Sequence, residues 1–147
     1  QRYFEESGVY HMIGTDIREE NWLPAGKTAI IVLEGVSMYL HPEELQAVLK
    51  HWKAHYGQVR ILMDSYTSFA AKATKYKNTI NEVGVTEVHG FDNPQELEKD
   101  TGLTFVGEHA LTPEWLIQQL PKGERGFFRC LFAGSFARKL YRLYEYR

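Results

Sequence analysis

TAIIVLEGVSMYL, residues 28–40, opens with the unbroken apolar run Ala29-Ile30-Ile31-Val32-Leu33, which is rich in β-branched side chains and shows no alternation. A strand that is apolar on both faces belongs in the middle of a parallel sheet covered by helices. The run stops at Glu34-Gly35, where a charge and a flexible residue meet at the strand's carboxyl end. In open α/β sheets that edge is where ligands bind. Glu34 suits a solvated strand terminus equally well, so position alone leaves its role open.

The composition fits one globular domain. The chain has 147 residues, 44% hydrophobic and 14% aromatic, enough to bury a core and too apolar for disorder. A formal net charge of −2 with dispersed Lys and Arg gives no nucleic-acid or polybasic membrane surface. The single cysteine, Cys130, excludes an internal disulfide and a multi-cysteine metal site, and fits a cytoplasmic protein. No signal peptide and no run of membrane-spanning length is present. The chain starts at Gln1 rather than Met, and Arg2-Tyr3-Phe4 reads as the end of a helix that begins earlier.

Working outward, residues 9–15 predict a short strand that ends before Asp16-Ile17-Arg18. Asp16 can accept hydrogen bonds from a ligand or cap the turn at residues 18–21, and the cap is the simpler reading. Beyond Leu40, Pro42 suits a first helical turn, and Glu43 and Glu44 suit its dipole. Leu45, Val48, Leu49, Trp52 and Tyr56 form one apolar stripe, and Gly57 stops the helix. His51, His55 and His41 read as polar-face residues rather than metal ligands, because no Asp, Glu or Cys completes a set. Residues 59–63 predict a second strand ending at Asp64-Ser65-Tyr66, which makes a βαβ unit.

Residues 67–82 read as a helix with a weak apolar face, and 84–92 as loop. A short helix over 94–100, a strand over 103–107 and a helix over 115–120 follow. Residues 127–139 predict a helix with Phe128, Leu131, Phe132 and Ser135 on one face. Residues 140–146 alternate, placing Leu140, Arg142, Tyr144 and Tyr146 on one face of a last strand. The architecture expected is a three-layer α/β domain.

Three segments together resemble a known family: Asp16-Ile17-Arg18, Leu33-Glu34-Gly35-Val36-Ser37-Met38-Tyr39-Leu40 and Leu62-Met63-Asp64-Ser65-Tyr66. They are similar to the second half of the class I S-adenosylmethionine-dependent methyltransferases of the leucine carboxyl methyltransferase group, which includes the TcmP-like polyketide O-methyltransferases. The aromatic last strand, Tyr141-Arg142-Leu143-Tyr144-Glu145-Tyr146, matches as well. The resemblance implies that Asp16 and Ile17 hold the adenine end of the cofactor, and that Glu34, Gly35 and Tyr39 lie beside its methionine portion. Met38 and Tyr39 would line the floor between cofactor and acceptor, with Asp64 and Tyr66 on the acceptor side. The acceptor it implies is a carboxylate or hydroxyl on a small molecule or protein. A carboxylate needs no general base, whereas a phenol would call on His89 or His109.

The sequence departs from that family in one respect. It has no G-x-G loop and no acidic residue closing a second strand. The expectation is therefore a Rossmann-like methyltransferase sheet that lacks its first two strands, residues 1–147 being the C-terminal part of one domain and inactive alone. In the family order 3-2-1-4-5-7-6, with the last strand antiparallel, residues 9–15 lose their neighbours and residues 28–34 expose an edge. Either the 9–15 strand slides beside 28–34, or a second copy pairs there as a homodimer. A non-catalytic binding or oligomerising remnant and another doubly wound nucleotide-dependent enzyme are the alternative readings. The absent G-x-G-x-x-G counts against the last.

Overall fold

In the computed structural model, residues 7–73 and 87–147 are described. Strand β1 (Thr28–Leu33) leads through a 3₁₀ turn (Ser37–Tyr39) into helix α1 (Pro42–His55), which returns the chain to β2 (Gln58–Tyr66). The two strands pair in parallel, Ile31 opposite Ile61 and Leu33 opposite Met63. Helix α1 starts as its sequence demands. Pro42 fills a first-turn position, and the Glu44 side chain accepts the His41 backbone N–H at 2.9 Å. Its stripe is buried as expected: Leu45, Val48, Leu49 and Trp52 all face the sheet, and Tyr56 follows at the C-cap.

Helix α2 (Ser68–Ala73) begins the predicted 67–82 helix, whose remainder, 74–82, lies outside the described residues, as do 84–86 of the predicted loop. The predicted 94–100 helix is a 3₁₀ turn over Pro94–Glu98. Strand β3 (Phe105–His109) sits two residues later than the predicted 103–107, because the backbone of Thr104 exchanges two hydrogen bonds with Arg147 and a register shift follows between Phe105 and Gly107. Short helices α3 (Glu114–Ile117), α4 (Lys122–Phe128) and α5 (Ser135–Arg138) lead to β4 (Tyr141–Tyr146). The continuous helix predicted for 127–139 is broken. A π-helical turn spans Arg129–Ala133, and Gly134 is extended there so close to the preceding turn that a Cβ would meet the Arg129 carbonyl at 2.8 Å.

The sheet order is β1-β2-β4-β3, with β4 antiparallel to both neighbours. This is the 4-5-7-6 half of the expected family order. One face carries the main core. Ile61, Met63, Tyr144 and Tyr146 are fully buried beneath the α1 stripe, and Ile17, Trp22 and Leu23 pack at its margin.

On the β1 side the strand expected at 9–15 and the central place first read for 28–33 are not found, whereas the edge expected at 28–34 is exposed. Residues 9–15 form no strand: Val9 is 96% exposed, and among the described residues β1 pairs with β2 alone. A strand exists only where a neighbouring strand satisfies its backbone, and no described strand lies beside this segment. β1 is accordingly an edge strand rather than a central one. Ala29, Ile31 and Leu33 turn inward, while Ile30 and Val32 on the other face are 72% and 64% exposed.

Candidate functional site

The carboxyl ends of β1 and β2 converge on Asp64. β2 continues three residues past the predicted Met63 because β4 pairs with it throughout, Asp64 opposite Leu143 and Tyr66 opposite Tyr141. Asp64 is 3% exposed. Its Oδ2 accepts the Gly35 N–H at 2.7 Å and the Tyr141 hydroxyl, while Ser37 Oγ donates to the Asp64 carbonyl. Gly35 has φ +67°, a left-handed conformation that turns its N–H back toward β2 and that a side chain would resist. Oδ1 of Asp64 is buried without a hydrogen-bond partner among the described residues. A buried acceptor left in that state is costly unless a donor or cation arrives.

Three tyrosines surround this carboxylate. Tyr66 and Tyr141 meet edge to face at 5.6 Å between ring centroids, and Tyr39 is half exposed beside them. Burial, and next the hydrogen bond to Asp64, raise the Tyr141 hydroxyl well above its ordinary pKa, and Glu34 adds to the effect. Burial also raises Tyr66, followed by the charges of Tyr39 and Asp64. Met38 is buried, packed with Ala71 and Val88 against Tyr66 and Tyr141, and so forms a floor beneath the rings. Glu34 is exposed at the rim.

Of the residues singled out in the sequence, Glu34, Gly35, Met38 and Tyr39 therefore lie on the turn after β1, and Asp64 and Tyr66 on the last residues of β2 beside it. Asp16 and Ile17 serve a different local purpose. Asp16 Oδ1 accepts the Arg18 backbone N–H at 3.0 Å, and both carboxylate oxygens engage the Arg18 guanidinium, which lowers the Asp16 pKa to about 2. The turn-capping reading thus holds. Arg18 reaches on to Glu44 at 2.8 Å, and Ile17 packs on the main core, so the segment is fastened to α1. His51 and His55 continue that fastening, on the carbonyls of Glu20 (3.2 Å) and Pro24 (3.1 Å). The described residues hold no cluster of three or more metal-ligating side chains.

His89 meets His41 with the rings tilted and their centroids 4.3 Å apart, and it borders a cavity of about 350 Å³ with Ser37, Ser65 and Asp92. His109 bonds through Nε2 to Glu145 Oε2 at 2.5 Å, and the other Glu145 oxygen takes Arg60 at 3.0 Å. Tyr141 was missing from the sequence-derived set. Its signal was present in the alternation of the last strand, which puts residue 141 on the opposite face from Arg142, Tyr144 and Tyr146.

No family model matches the chain. Over 108 residues it is 29% identical to the tetracenomycin polyketide synthesis O-methyltransferase TcmP of Streptomyces glaucescens, an alignment covering 71% of this chain and 40% of that protein. The chain thus spans less than half the length of this curated relative. In structure it resembles the magnesium protoporphyrin IX methyltransferase of Synechocystis PCC 6803, solved with bound SAH. The TM-score is 0.50 at 12% identity, over 91% of this chain and 48% of the other. The chain is similar to the TcmP-like methyltransferases, and its incomplete sheet has the methyltransferase fold. No helix among the described residues is long and apolar enough to cross a membrane.

Proposed function

We propose that residues 1–147 are the C-terminal part of one Rossmann-like, S-adenosylmethionine-dependent O-methyltransferase domain of the cytoplasm. The observation that carries this reading is the charge of the strand ends. Residues 34–41 and 64–68 bring together Glu34, Asp64 and the rings of Tyr39 and Tyr66, with no Lys or Arg. Carboxylates and ring faces attract a sulfonium cation, whereas the phosphates of a nucleotide would be repelled. The unpartnered Asp64 Oδ1 fits the same conclusion, since a nearby cation or donor relieves it.

On this reading Glu34, Gly35 and Tyr39 hold the methionine end of the cofactor. Asp16 receives the adenine end through lone pairs left over on a carboxylate that Arg18 already orients, with Ile17 fixing the turn beneath. The bound cofactor supplies an electrophilic methyl group. Met38 and Tyr66 orient a carboxylate or hydroxyl acceptor and exclude water from it, and Asp64 holds the Gly35 turn in register with them. The exposed Ile30 and Val32 favour a second reading, a binding or oligomerising module that associates through β1.

Calorimetric titrations with S-adenosylmethionine, S-adenosylhomocysteine and ATP decide between them. Binding of the first two but not of ATP is expected, with Glu34→Gln weakening the sulfonium ligand by about tenfold, the size of one partly solvated charge interaction. Equal binding of ATP, or no saturation by either sulfur ligand up to millimolar, overturns the cofactor reading. Concentration-dependent self-association in sedimentation would then support the module.

A further inference from the structure

Residues 122–138 run through α4, the π-helical turn and α5, and none of them is buried. A surface helix of a domain ordinarily turns an apolar stripe inward. Here the large apolar side chains stand in solvent: Phe127, Leu131, Phe132 and Phe136 are all exposed. Trp115 of α3 joins them at 63% exposure, with Leu116 beside it. An ion pair between Glu114 and Arg129 holds α3 against the π-helical turn, so the tryptophan belongs to the same surface. A cluster of exposed apolar groups on this scale marks a contact with a protein or a membrane.

The charge of the same stretch decides between the two. The whole chain carries a formal net charge of −2, which conceals a local excess: residues 110–140 hold five Lys and Arg against two Glu. Arg129 is paired with Glu114, and Arg138 with Glu108. Lys122 at the start of α4 and Lys139 after the end of α5 are exposed, with no carboxylate partner among the described residues. Lysine is depleted from protein interfaces, where its ammonium would lose its water. Among lipid headgroups its long stem keeps the charge hydrated while neighbouring rings enter the acyl boundary. Trp and Phe flanked by unpaired lysines therefore fit an anionic bilayer better than a protein partner. No helix among the described residues can cross a bilayer, so the contact is peripheral.

We propose that residues 115–139 dock the chain on an anionic lipid surface. Trp115, Phe127, Phe132 and Phe136 sit at the headgroup boundary, and Lys122 and Lys139 lie on the anionic headgroups. The test is co-sedimentation of the 147-residue chain with vesicles of phosphatidylcholine, alone or with about one third phosphatidylserine. Each positive charge near such a surface multiplies affinity about fivefold, so an excess of three gives a preference of about a hundredfold for the anionic vesicles. That preference should collapse at high salt and in the double variant Lys122→Glu, Lys139→Glu. Phe127→Ser with Phe136→Ser should weaken binding to both kinds of vesicle by at least about tenfold. Trp52 is buried and Trp22 packs on the core, so a blue shift of emission on binding reports Trp115 and should vanish in Trp115→Phe. All five substituted positions are exposed, and unchanged melting curves show that the variants are folded. No retention at millimolar lipid, equal retention by neutral and anionic vesicles, or binding that the two serines leave unchanged overturns the proposal. Self-association that the serines abolish also overturns it, and assigns the surface to a second copy of the chain. None of these outcomes depends on a bound cofactor.

Discussion

Replacing Tyr141 with Phe removes one of the two donors that meet at Asp64 Oδ2. Asp64 Oδ2 takes both the Tyr141 hydroxyl and the Gly35 N–H, and Oδ1 has no partner among the described residues to share the loss. A hydrogen bond to a charged group contributes about 1.5–3 kcal/mol, and the partial exposure of Tyr141 argues for the lower half of that range. We expect a loss of about 1.5–2 kcal/mol in urea unfolding, and a fall in melting temperature of about 3–8 °C for a chain of this size. A double-mutant cycle with Asp64→Ala should give a coupling of about 1–2 kcal/mol. The same pair carries a pH signature. The folded pKa of Tyr141 lies above its unfolded value, so its contribution is complete below about pH 10 and is lost as the pH rises further. Tyr141→Phe should flatten the alkaline limb of the stability profile. A loss under about 0.5 kcal/mol, or a coupling indistinguishable from zero, would refute the assignment of Asp64 as the pin of this edge.

Three further outcomes follow. Leu49→Ala, at a fully buried position on the α1 stripe, should cost about 2–5 kcal/mol in urea unfolding with an unchanged m-value. Gly35→Ala forces a side chain into a left-handed turn and should cost about 1–2 kcal/mol, with the same change at exposed Gly123, inside α4, showing no such penalty. The depressed pKa of Asp16 makes its contribution present above about pH 4 and progressively lost as the pH falls through about 2. Asp16→Asn should therefore flatten the acid limb and leave the alkaline limb alone, as measured by midpoints across pH.

What the sequence could and could not disclose follows from the range of the interactions involved. The α1 stripe was legible because Leu45, Val48, Leu49 and Trp52 meet the sheet through one helical period. The last strand was legible from the alternation of its residue types, although in the structure Tyr144, Glu145 and Tyr146 are all buried because β4 lies between β2 and β3. The extension of β2 to Tyr66 was not, since it depends on partners some eighty positions away in β4. Residues 9–15 have the local pattern of a strand, but no described strand lies beside them, and local pattern says nothing about strand neighbours. In the candidate site the conspicuous residues Glu34, Gly35, Asp64 and Tyr66 were readable as strand ends. The link through Tyr141 needed the sheet order, and the break at Gly134 needed a carbonyl at close approach.

The position of β4 has a consequence for how the molecule is assembled in time. It is the last of the four described strands, yet it lies inside the sheet, with β2 on one side and β3 on the other. During synthesis β1, α1 and β2 can form their unit as soon as they emerge, but β3 has nothing to dock on until residues 141–146 exist. Until then β2 presents a second unsatisfied edge, and Asp64 waits beside Gly35 without the tyrosine that completes it. A nascent chain halted before Tyr141 would hold a folded βαβ unit and an unattached β3. It would lack the completed edge altogether, so the candidate site comes into being with the last few peptide bonds of the sheet.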